Sequence, residues 1–357
     1  MVWDIIVILQ DIFCKGTDIM NKKLKFISYA YAIGAILVVL GHSTPTGVSD
    51  MPLIVDKIRT FIYCFHMPLF FFIAGFLFKY TSKIKTKPYG VFMKNKLIKF
   101  LTPYFVLSAI GILPKILLSA FVNDKVSFSF YYVFETIFNP RLNVWGHFWF
   151  LPTLLIIYSL SYLVLKCYKK IMLFSAVLAT SLVLSVFPIN TNWFAIKDVC
   201  LELIYFCIGI FSCKFILNNK GRIFKLSIAL ASVAFSVIFY IFMSANNFYW
   251  LEWVKNISTV VIALPMIYSV LYLSVFLEKN GSKILDYLDG KTFSIYIMSW
   301  PCQATIEVLL NRVIHMYWYI TMPAMFIVGL GVPLLFLCIY KRFKRQPKFI
   351  NLIFGVN

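Results

Sequence analysis

Residues 65–78 read FHMPLFFFIAGFLF, with His66 the only ionisable side chain in the run. Aliphatic and aromatic residues fill every face at both the helical and the strand period, so no face is left for water. Just upstream, residues 36–42 read ILVVLGH, an apolar helix that closes on Gly41 and His42. Imidazole is the side chain whose charge changes near neutral pH, and lipid offers a polar ring no hydrogen-bond partner. Two of the four histidines therefore stand on consecutive apolar segments.

Working outward, the same composition continues along the chain. Apolar residues make up 61% of the 357, mean hydropathy is +0.84, and charged residues are 13%. A water-soluble fold of this size could not cover such a surface, whereas lipid can. The expected fold class is all-α, a polytopic integral membrane protein. Ten apolar stretches approach the length needed to cross about 30 Å of hydrocarbon. They run approximately over 26–41, 60–78, 100–120, 147–165, 171–188, 198–213, 226–243, 257–277, 292–310 and 317–340. The stretch 126–138 is shorter and holds Glu135, which predicts an interfacial or re-entrant segment.

Residues 1–19 are too short to span and are interrupted by Asp4, Gln10 and Asp11, so they read as an interfacial helix or an extension ahead of Met20. No short apolar run precedes a small-residue cleavage site, so no cleaved signal is expected. Residues 20–348 read as one transmembrane domain and 349–357 as a short tail.

The net charge of +20 is a matter of topology rather than of nucleic acid, because the basic residues sit between apolar segments and not along one face. With the N-terminus inside, 26 of the 34 lysines and arginines fall in cytoplasmic segments. That asymmetry predicts ten spans with both termini in the cytoplasm. Trp145, Trp149, Trp193, Trp250, Trp253 and Trp318 fall near the expected outer boundaries, as an aromatic belt does. The eight cysteines form no CxxC pair and mostly lie within apolar runs, so they predict neither a metal site nor a disulfide framework.

This topology assigns depths. His42 ends the first span, roughly 26 Å from its inner end at the helical rise, and His66 lies roughly 10 Å below the outer face. His147 opens the fourth span within HFWFLP, and His315 falls in an outer loop where water satisfies it. For His66 the bland alternative is a hydrogen bond to backbone loosened by Pro68. Glu202 lies about one turn into the sixth span and Glu307 near the outer end of the ninth. Either could orient an imidazole or simply touch water. On the inner side, Lys96 and Lys99 share one face of a helix entering the membrane just before Pro103. Such a pair could hold phosphates, anchor the loop, or contact anionic lipid.

Taken in order, ILVVLGH, FHMPLFFFIAGFLF, HFWFLP and the late GKTFSIYIMSWP (290–301) resemble membrane acyltransferase family 3, nearest to its fucose 4-O-acetylase-like and polysaccharide O-acetyltransferase branch. The resemblance covers about residues 26–340. It implies transfer of an acyl group, usually acetyl from cytoplasmic acetyl-CoA, to a hydroxyl of a surface glycan or its precursor, in the bacterial cytoplasmic membrane. The histidines of the family's first-span, second-span and HxWFL motifs fall on His42, His66 and His147. Its basic pair falls on Lys96 and Lys99. Three positions differ from the family pattern: Ser28 and Tyr31 stand where an acidic and a basic residue are usual, and Ser299 where the late motif often carries histidine.

His42 is expected to act as the base, with His66 as its catalytic partner. His147 and Glu202 would bind the acceptor or the developing oxyanion. Lys96 and Lys99 would hold the phosphates of acetyl-CoA, and a funnel from the inner face would be needed to bring the thioester to His42. No metal is expected, and the partners are acyl-CoA, the glycan acceptor and lipid. A transporter or flippase for a lipid-linked glycan would also need many spans, but no paired inverted repeat or mid-depth acidic relay is visible. A glycan polymerase would favour a larger outer loop.

Overall fold

The computed structural model describes residues 23–46, 48, 51–81, 88–117, 129–167, 171–246, 248, 251–343 and 345–356. The 1–19 segment, and Lys83, Lys85 and Lys87, lie outside the described residues. Within them the chain is all helical, with no strand. The helices are α1 (Lys25–Gly41), α2 (Leu53–Tyr63), α3 (His66–Tyr80), α4 (Tyr89–Leu117), α5 (Phe130–Phe138), α6 (Phe150–Cys167) and α7 (Ile171–Val186). They continue as α8 (Ile196–Ile223), α9 (Leu226–Ala245), α10 (Glu252–Asn280), α11 (Lys283–Leu288), α12 (Thr292–Glu307), α13 (Trp318–Tyr340) and α14 (Lys348–Phe354). Short 3₁₀ turns at Gly146–Trp149 and Trp193–Ala195 lead into α6 and α8, and a π-turn at Val308–Val313 follows α12.

Among the described residues, six helical stretches are long and apolar enough to cross a membrane: Leu53–Tyr80, Gly146–Val164, Trp193–Ile223, Leu226–Ala245, Glu252–Asn280 and Trp318–Tyr340. Lys25–Gly41 and Ser175–Val186 are shorter apolar helices. The chain is a multi-pass membrane protein.

Three boundaries differ from expectation for physical reasons. The stretch 60–78 is not one helix. It breaks at Cys64-Phe65, where Phe65 leaves helical geometry (φ −134°, ψ −18°) and His66 starts α3. Pro68 lacks an N–H and fits best in the first turn of a helix, and here α3 restarts just ahead of it, whereas Pro265, Pro301, Pro323 and Pro333 stand inside continuous helices. Helices α8 and α10 run to Ile223 and Asn280, past the ends of their apolar stretches. Lys214, Lys220 and Arg222 therefore extend α8 instead of forming a loop. Lys220 pairs with Glu278 of α10, and its Nζ sits 4.5 Å from the Phe26 ring centre.

Helix α3 is the axis of the bundle. It is buried on all sides from His66 to Phe76, as a helix apolar all round must be. Its closest neighbour is α8, and glycine sets that distance. A Cβ on Gly75 would fall 2.0 Å from the Phe206 carbonyl oxygen, and one on Gly209 would fall 2.1 Å from that of Phe72. Small residues let two helix backbones approach this closely in lipid, where packing rather than the hydrophobic effect holds helices together. Helices α1, α4, α6, α10 and α12 add buried residues to the core, while α9 and α13 are largely exposed. The last stretch is not merely a tail: α14 folds back onto α4 and α12.

Candidate active site

Gly41, the last residue of α1, stands where only glycine fits. The Tyr63 ring from α2 crosses it so closely that a Cβ on Gly41 would meet Tyr63 Cε1 at 2.7 Å. His42 caps the helix, half-buried, with its ring centre 5.6 Å from that of Tyr63. The Tyr63 hydroxyl donates to the Gly41 carbonyl at 3.1 Å and lies 3.2 Å from His42 Nδ1. The same phenol ring is 5.1 Å, centre to centre, from His66. His66 is buried and pairs through Nδ1 with the Ile62 carbonyl at 2.9 Å, next to the helix break. That bond is the one a purely structural histidine would make. It also puts the proton on Nδ1 and leaves Nε2 with its lone pair.

His147 joins from the 3₁₀ turn ahead of α6. It is buried between Tyr296 and Trp300 of α12, ring centres 5.2 and 5.7 Å away. The Tyr296 hydroxyl donates to the His147 backbone carbonyl at 2.6 Å, which pins the turn to α12. The carbonyls of Tyr296 and Ile297 lie beside the imidazole, yet neither ring nitrogen has a partner in hydrogen-bond geometry. His147 and His66 each lie close enough to His42 for a charge on one ring to be felt at the other. The structure thus brings the three sequence-selected histidines together. His315 stands apart in an exposed connection after the π-turn.

Residues from the far end of the sequence hold the loop after His42. Gln303 on α12 donates from Nε2 to the Val39 carbonyl at 2.8 Å and to Ser43 Oγ at 2.9 Å. Ser43 donates in turn to Val39 at 2.6 Å. One turn further, Glu307 Oε1 accepts from both the backbone N–H and the hydroxyl of Thr46, at 2.6 and 2.7 Å. Glu307 therefore grips the loop beside His42 rather than the ring itself. Ser299, buried one turn before Gln303, lies on the same helix.

A cavity of about 620 Å³ is lined both by Lys96 and Lys99 of α4 and by Met67, Phe70, Phe150 and Tyr296, so it passes beside His66 and the residue that pins His147, while none of the three histidines lines it. It follows α3 from Thr81 to Met67, roughly 21 Å at a helical rise of about 1.5 Å per residue. Tyr31 and Tyr158 form part of its wall. Lys96 Nζ lies 3.6 Å from the Tyr158 ring centre, within cation–π range, and Lys99 Nζ lies 5.5 Å from that of Phe293. A smaller cavity of about 330 Å³ shares Tyr31, Leu77, Thr81, Gly290 and Thr292 with it. Beside the smaller cavity, Asp289 pairs with Lys23 at 2.5 Å. Asp286 accepts from the Tyr29 hydroxyl at 2.7 Å and pairs with Lys25 at 2.9 Å. Those two partners, Tyr29 first, hold the Asp286 carboxyl below its ordinary 3.8.

Glu202 belongs to a different cluster. It follows Asp198 by one turn on α8. Asp198 is buried and takes a bidentate contact from Arg141, whose guanidinium carbon stacks 3.9 Å from the Trp149 ring centre. Glu202 Oε2 is buried without a hydrogen-bond partner. Depth along a helix is readable in sequence, but the face a residue occupies is not, and Glu202 faces this cluster rather than an imidazole.

The fold is a multi-pass helical bundle in which three histidines gather near a cavity lined by lysines and aromatic rings. The chain belongs to membrane acyltransferase family 3, whose acyltransferase-domain model matches residues 24–342, and it is an acyltransferase. No curated protein and no solved structure matches it.

Proposed function

We propose that the chain moves an acyl group, acetyl in the simplest case, from cytoplasmic acyl-CoA to a hydroxyl of a cell-surface polysaccharide or its precursor. It would do so in the bacterial cytoplasmic membrane, with ten spans and both termini inside. The observation that supports this most is the cavity joining Lys96 and Lys99 to the residues beside His66 and His147. A donor with an anionic head and a long uncharged arm matches both ends of that space.

A sugar hydroxyl is a poor nucleophile and needs a positioned base. His42 takes its proton as the oxygen attacks the thioester carbonyl. The oxyanion that forms is stabilised by a proton donor on His147, because His66 holds its proton against the Ile62 carbonyl. Collapse breaks the carbon–sulfur bond, and the thiolate leaves with the proton held by His42. The acceptor approaches from the side of His42 and the donor through the cavity, so the two reactants come from opposite faces of the membrane.

Mass spectrometry of the surface glycan with and without the gene tests this. Deletion should remove the O-acyl groups and leave the glycan exported at its normal length. Loss of export would favour a flippase, and loss of chain length a polymerase.

A further inference from the structure

We propose that the C-terminal helix α14 is a wall of the nucleotide end of the donor site, and that Lys348 takes a phosphate of acyl-CoA together with Lys96 and Lys99. The inference rests on the donor reading above. Lys348, Asn351, Leu352, Gly355 and Val356 line the same cavity as the α4 lysines, and among the described residues no Asp or Glu lines it, Asp289 lying on the adjoining smaller cavity where it pairs with Lys23. A polyanion in this cavity therefore meets three lysines, while the wall of Phe70, Phe78 and Phe150 suits an uncharged arm.

The helix is held there specifically. Tyr340 Oη donates to Asn351 Oδ1 at 2.8 Å, and the Phe336 and Phe354 rings lie 4.9 Å apart. The chain then turns through Gly355 at φ 64°, pressed so tightly against Phe293 that a Cβ would fall 2.1 Å from its ring. A left-handed turn in this space admits only glycine. Phe293 is also the ring beneath Lys99, so docking of α14 and placement of Lys99 share one side chain. The family match stops at residue 342, so α14 lies beyond it.

The test is CoA binding by calorimetry, with the full-length protein in discs of phosphatidylcholine, where no anionic headgroup competes. Lys348→Glu should raise the CoA Kd about tenfold or more and flatten its salt dependence, whereas Lys348→Arg should bind nearly as the parent does. Gly355→Val should weaken CoA comparably without removing a charge. Lys348 is exposed, so its variants keep the fold even if the glycine variant does not. If the parent binds CoA and Lys348→Glu binds it equally, Lys348 serves lipid headgroups or solvent, and the inference falls while the donor reading stands. If the parent does not bind CoA at all, the donor reading falls and takes the inference with it.

Discussion

The Tyr63 hydroxyl sits 3.2 Å from His42 Nδ1 while donating its one proton to the Gly41 carbonyl at 3.1 Å. With the phenol proton on that carbonyl, His42 donates from Nδ1 to the phenol oxygen and Nε2 is the basic atom. A single phenol thereby orients the proposed base and couples to its tautomer.

Tyr63→Phe removes that bond but keeps the ring between His42 and His66. It should lower kcat about tenfold, leave the KM for acyl-CoA unchanged, and alter the pH profile, because the ring is then free to take either tautomer. Steady-state kinetics across pH with purified protein reads all three.

Gln303→Leu leaves the Val39 carbonyl and the Ser43 hydroxyl without their buried donor. It should cost about 1–3 kcal/mol of stability and lower kcat with little change in the donor KM. Gly329→Val should do the same from the opposite side, since a Cβ there already meets Gln303 Cδ at 2.8 Å. Thermal unfolding and turnover on the same preparations check both.

Lys96→Glu and Lys99→Glu should raise the KM for acyl-CoA with a smaller effect on kcat, and the parent's KM should rise with ionic strength as charges are screened. A change in kcat alone would remove these lysines from the donor site.

Gly75→Ala and Gly209→Ala drive a methyl into a facing backbone carbonyl and should destabilise the bundle by about 1–3 kcal/mol each or more. Denaturation monitored in detergent would show it, and a neutral outcome would mean that α3 and α8 can slide apart.

The sequence made the helices legible because unbroken apolar runs are its strongest signal. His42, His66 and His147 were legible through the motifs around them. The groups that hold these histidines were not. Gln303 reaches Ser43 across 260 residues of chain, and Tyr296 reaches His147 across 149. No local pattern marks a glutamine or a tyrosine as the one that faces a distant loop. The break at Cys64-Phe65 was foreshadowed only by Pro68, which tolerates either a kinked helix or a restart. The pairing of Glu202 with the Asp198–Arg141 cluster depends on which face of α8 it occupies, which a continuous apolar run does not encode, and the seven-residue α14 is too short and mixed for periodicity to show.

The central claim is that His42 is the base for acyl transfer to a glycan hydroxyl. Quantifying O-acetyl groups on the surface glycan of cells that carry His42→Ala at parental membrane levels tests it most directly. The account predicts that the acetyl groups disappear while the glycan is still exported. Acetylation at the parental level in those cells would contradict it.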